Sequence, residues 1–116
     1  MGTWGTDIFD NDLSADMRMD YTEQVEEGVP GPEIRANLLE GYAEALADED
    51  DAPLFWMTLA ALQLKYGHLE ASVREQALAA IAAGSNLRRW EAEAGPEDAA
   101  KRRAVLEALR DQLQKA

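Results

Sequence analysis

The stretch PLFWMTLAALQL at 53–64 constrains the fold more than any other part of this chain. It opens on a proline, and Leu54, Phe55, Trp56, Met57, Leu59, Leu62 and Leu64 follow with hardly a polar residue among them. On a helix these side chains point in nearly every direction, so no single neighbour can cover them. A helix over 53–66 is therefore predicted at the centre of a bundle, with Trp56 in the core. The run is also too short for the roughly 20 apolar residues a bilayer span needs, so no membrane span is expected.

The rest of the chain supplies the surroundings. Leu13, Met17, Tyr21 and Val25 make one stripe on a first helix over about 12–27, with Asp12 or Asn11 as N-cap. Asp16 adds negative charge near the positive end of that helix. GVPGP at 28–32 ends it, and Pro32 suits the first turn of a second helix over about 32–48. That helix has Ile34, Leu38, Leu39, Tyr42, Ala45 and Leu46 on its buried face, and the connector DEDDAP at 48–53 follows. Gly67 suits a left-handed C-cap, and a fourth helix over about 70–83 presents Val73, Ala77, Ala80 and Ile81. GSN at 84–86 stops it, with Ser85 read as the cap of a short segment, LRRWEAEA. After Gly95 and Pro96 a last helix over about 97–115 carries Val105, Leu106, Leu109 and Leu113 on one face.

No stretch alternates apolar and polar residues convincingly, so no sheet is expected. The fold class read from these patterns is all-α. It is a compact bundle of about five or six short antiparallel helices in one domain over 1–116, with residues 1–11 an ordered leader packed on the bundle. A solenoid of helix pairs would need a second copy of the 56–81 pattern about 34 residues away, and none is found.

The net charge of −12 is unevenly placed. Residues 1–51 hold 15 Asp and Glu against Arg18 and Arg35, giving −13, while 52–78 is neutral and 79–116 carries +1. A reader of nucleic acid needs a positive footprint, so no nucleic-acid binding is expected. An acidic half favours a basic protein partner through electrostatic steering, or serves solubility alone. Arg88, Arg89, Lys101, Arg102 and Arg103 are offset by Glu91, Glu93, Glu97 and Asp98. They read as a salt-bridged helical surface, or as an answer to the acidic half of the same molecule or a neighbour.

Catalytic sets are sparse. With no cysteine there is no disulfide, no thiolate catalysis and no sulfur-ligated zinc. No basic region with an apolar run opens the chain, so a cytoplasmic setting is the expectation. His68, the one histidine, falls in a predicted turn and reads as exposed and incidental. Ser14, Ser72 and Ser85 sit in no nucleophile elbow. The chain is read as not an enzyme, with no cofactor.

The opening MGTWGTDIFDND concentrates Asp7, Asp10, Asn11 and Asp12, with Asp16 one turn on. Asp10, Asp12 and Asp16 are the metal candidates, joined by Glu23 or Glu40 if a pocket gathers them. A wrapping cation loop also needs a glycine for its turn, and position 15 is alanine. Helix capping accounts for Asp10, Asn11 and Asp12 without a metal, and none is expected. Trp4 and Phe9 are predicted to be buried as a plug across helix ends, with Asp10 or Asp12 bonded to backbone N–H groups.

The same opening resembles the Gly-x-Trp-Gly-x-x-x-Phe-Asp-Asn-Asp start of a family of small bacterial proteins known as a domain of unknown function. Gly2, Trp4, Gly5, Phe9, Asp10, Asn11 and Asp12 match, while Asp7 stands where many relatives have glycine. Residues 50–91 and 101–113 are similar to helical segments of that family. The resemblance implies kinship of fold and brings no activity, although some such proteins look like components of bacterial toxin–immunity loci. The expected function is a non-enzymatic helical protein-interaction module whose acidic half meets a basic protein. An immunity-type protein neutralising a bacterial toxin and a metal-dependent enzyme built on the N-terminal acids are the alternatives.

Overall fold

The structure is a computed structural model that describes residue 5 and residues 7–116. Among them seven helices follow in order: α1 (Asp12–Glu26), α2 (Gly31–Gly41), α3 (Ala43–Ala47), α4 (Asp51–Tyr66), α5 (Ala71–Ala83), α6 (Ser85–Glu93) and α7 (Pro96–Lys115). No strand occurs among the described residues, and the fold is all-α. The radius of gyration is 13.6 Å. A compact globule of this length is expected near 13.4 Å, roughly, so the helices close on one another rather than stack in a row.

The central position predicted for 53–66 belongs to α4, which packs against α1, α3, α5, α6 and α7. Leu54, Phe55, Met57, Leu59, Ala60 and Leu62 are buried along it. Each large apolar side chain removed from water stabilises the fold by about 2 kcal/mol. Trp56 departs from the core placement expected of it. It is half-buried, its ring edge-on to Phe55 at 5.5 Å, because α4 leaves one stripe at the bundle surface.

The count of seven exceeds the five or six read from sequence, because the segment 32–48 bends at Tyr42. Tyr42 takes φ −111° and ψ 29°, off helical values. The N–H of Tyr42 still reaches Leu38 O at 2.9 Å and its carbonyl still accepts from Leu46, so the chain keeps its course through the bend. The side chain supplies the reason. Its hydroxyl donates to Asp20 Oδ2 on α1 at 2.5 Å while its ring tilts against Phe55 on α4. Gly41 before it resists such a bend least.

Caps explain most other boundaries. Asn11 Oδ1 accepts from the Ser14 N–H at 2.8 Å, which leaves Asp12 as the first helical residue of α1. Asp48 Oδ1 accepts from the N–H groups of Asp50 and Asp51, so α4 starts two residues before Pro53. Gly67 and Gly84 end α4 and α5 in the left-handed region, at φ 71° and 74°. Ser85 is no cap, because Gly84 already turns the chain directly into α6.

Candidate functional site

The N-terminal motif resolves into a short loop folded onto the bundle. Gly2 and Trp4 lie outside the described residues, so the plug expected of Trp4 does too. Asp7 Oδ1 accepts from the Ile8 N–H at 2.8 Å, and Asp10 Oδ2 accepts from the Asp7 N–H at 3.3 Å. Gly5 packs so closely on the Asp10 side chain that a Cβ there would overlap it. Asn11 holds both ends, its Nδ2 donating to Ile8 O at 2.9 Å while Oδ1 caps α1. Ile8 joins the apolar core at 4% exposure. Phe9, expected to be buried, is only half-buried. The loop spends its inward position on Ile8, and Arg18 on α1 covers one face of the Phe9 ring at 5.1 Å.

The metal candidates do not meet. Asp10 turns back on its own loop, while Asp12 and Asp16 stand exposed on α1, as do Glu23 on α1 and Glu40 on α2. Among the described residues no three His, Asp or Glu side chains stand close enough together to hold an ion.

Two clusters escape a reading by residue type. The first centres on Arg102, read from sequence as part of a salt-bridged surface but only 1% exposed. Its Nε donates to Asn86 Oδ1 at 3.0 Å and its Nη1 to the Asp7 carbonyl at 3.1 Å, and the guanidinium lies 5.3 Å from the Trp90 ring. Burial lowers its pKa from an ordinary 12.5 to about 10, with the Asp7 and Asp10 charges acting the other way. A signal was present: Ala99, Arg102, Leu106, Leu109 and Leu113 follow one another at the spacing of a single helix face. Three of the remaining basic side chains do lie toward the surface in ion pairs, Arg89 with Glu93, Lys101 with Glu97 and Arg103 with Glu91.

The second cluster welds α1 and α2 to the α4–α5 turn. His68, expected to be exposed and incidental, is half-buried there, because Gly31 lets the α2 backbone close over its ring. Its Nδ1 shares a hydrogen bond of 2.9 Å with the Tyr21 hydroxyl, and Tyr21 stacks on Tyr66 at 5.5 Å. Beside them Gln63 Nε2 donates to Glu70 Oε1 at 2.8 Å, and the Glu70 N–H donates back to Gln63 Oε1. Arg35 Nε completes the group on the same Glu70 oxygen at 3.0 Å. Every polar atom named here has a protein partner, so the arrangement holds four segments together.

The acidic half gains its character from where its cations go. Arg35 is committed to Glu70, and Arg18 lies over Phe9. No ion pair among the described residues draws on the acids of α2, α3 or the 48–51 connector. Around the bend at Tyr42 these acids frame an open depression of about 690 Å³, lined by Glu40, Tyr42, Glu44, Asp48 and Asp51 among others. Tyr42 forms part of its floor, its phenol pushed above the ordinary range by burial and then by its bond to Asp20. Among the described residues no helix is long and apolar enough to cross a membrane. Comparison of the chain with protein-family models, curated proteins and solved structures finds no match in any of the three.

Proposed function

We propose that this protein is a non-enzymatic interaction module whose α2–α3 face receives a basic protein partner. The observation that carries the reading is the depression at the α2–α3 bend, lined by Glu40, Glu44, Asp48 and Asp51, none of which takes part in an ion pair among the described residues. Like charges gathered on one face repel one another and cost folding free energy. A lysine or arginine side chain entering from a partner relieves that repulsion and is steered there from a distance. Nucleic acid and anionic membrane carry the wrong sign for this face, and a cytoplasmic setting suits it. The reading takes nothing from the family resemblance, which brings no activity with it.

The test is affinity capture from cells that make the protein, with the wild-type chain and a Glu40→Gln/Glu44→Gln variant as parallel baits. Basic proteins retained by the wild type, released by salt and lost from the variant support the reading. The same retained set on both baits rejects it.

A further inference from the structure

The tie between Arg102 and Asp7 joins positions 95 apart in the chain. One end is the loop before α1 and the other is the α6–α7 hairpin, where Arg102, carried by α7, reaches Asn86 and Trp90 on α6. We propose that Asp7–Asn11 is a strap whose docking is coupled through Arg102 to the closure of the α6–α7 hairpin, so that loosening either one loosens the other.

Two independent features make the strap a unit that docks or lifts as a whole. Asn11 fixes it internally, bonding the Ile8 carbonyl on one side and the Ser14 N–H on the other. Ile8 inserts into the apolar core, so the strap cannot shift without vacating a buried site. Asp7, Ile8 and Phe9 line an open groove of about 570 Å³ together with Val105, Leu109 and Gln112 of α7. The hydrogen bond at Arg102 is a close polar contact between strap and hairpin.

The coupling follows from the cost of a buried charge. With the strap lifted, the guanidinium loses the Asp7 carbonyl, and a buried charge is less well satisfied. The bond needs both a docked strap and a guanidinium held in place against Asn86 and Trp90, so losing it removes an interaction that favours the closed hairpin. In the other direction, an open hairpin withdraws the donor that holds the Asp7 carbonyl. Thermodynamic linkage makes the two effects equal in size. A ligand that engaged the Asp7 or Asp10 carboxylates would thus reach the far end of the sequence through one side chain.

Hydrogen exchange of the full-length chain, read by mass spectrometry, tests this from both ends. Ile8→Ala weakens the strap without touching Arg102, and Arg102→Met removes the guanidinium while keeping most of its stem. Ile8→Ala is expected to speed exchange of α6 and α7 amides on the order of tenfold, with α2 and α3 unchanged. Arg102→Met is expected to speed exchange over Ile8–Ser14 by a similar factor. If Arg102→Met does not fold, Ile8→Ala decides alone. Exchange confined to the strap in Ile8→Ala, or raised equally across α2 and α3, overturns the coupling.

Discussion

The hydroxyls of Ser14 and Thr58 share a hydrogen bond of 2.7 Å in the dry contact between α1 and α4, where neither residue has any exposed surface. Each satisfies a group that water cannot reach. Removing one partner strands the other, so Ser14→Ala is expected to cost about 1–3 kcal/mol. Changing both, as Ser14→Ala/Thr58→Val, leaves an apolar contact and should recover part of that loss. Urea unfolding of the double-mutant cycle measures it, and strictly additive losses would show that the hydroxyls do not act as a pair.

Two glycines in α2 make opposite predictions. A Cβ at Gly31 would sit 2.9 Å from His68 Cγ, closer than real Cβ contacts allow. Gly31→Ala should therefore push the ring away, weaken its bond to Tyr21 and lower the melting temperature. At Gly41 a Cβ meets nothing within 4 Å, and the backbone is not in the left-handed region. Gly41→Ala should stabilise by about 0.4–1 kcal/mol through a less flexible unfolded chain. Thermal melts of the two variants against the wild type check both directions.

Much of this architecture is legible in the residues. The apolar run at 53–64 marks the central helix, and Gly67, Gly84 and the GVPGP segment mark three boundaries. The register of α1 is less legible, because Ser14 is buried beside Met17 and Tyr21 while Leu13 is only half-buried. A serine opposite a threonine satisfies the interior as well as a leucine does, but only the packed pair reveals it. The bend at Tyr42 depends on Asp20 and Phe55, both distant in sequence. His68 and Arg102 share this limit. Their partners Tyr21, Asn86 and Asp7 come from elsewhere in the chain, and a turn histidine or an arginine in a basic triplet carries no local mark of burial. The acidic half is legible as composition, whereas its gathering around a depression requires the bend.

Alkaline pH should weaken the fold through its tyrosines. The Tyr21 phenol is pushed from an ordinary 10 to about 12, first by burial and then by the charge of Glu70. The folded chain keeps this proton where the unfolded chain has lost it. Its contribution is complete below about pH 10 and is lost as pH climbs toward 12. Tyr42 moves the same way, through burial and Asp20. Arg102 moves oppositely, since its lowered pKa leaves the unfolded chain holding more protons over the same window. Two phenols against one guanidinium leave a net fall. The urea midpoint should drop between about pH 10 and pH 12, and less steeply in Tyr21→Phe. An equally steep fall in that variant would remove Tyr21 from the account.

The crowding of acids should show as a salt effect. Screening becomes strong when the Debye length shrinks to about 3 Å, near 1 M salt. Melting temperature is therefore expected to rise with sodium chloride in the wild type and to rise less in Glu40→Gln/Glu44→Gln. That variant should melt no lower than the wild type at low salt. A lower melting point would mean that these acids support the fold.

The central claim, that the α2–α3 face receives a basic partner, is met most directly by a footprint. The captured partner, purified and added to the full-length chain, should protect amides of α2, α3 and the 48–51 connector from hydrogen exchange, and raised salt should erase that protection. Protection confined to α6 and α7, or unchanged by salt, would contradict the claim.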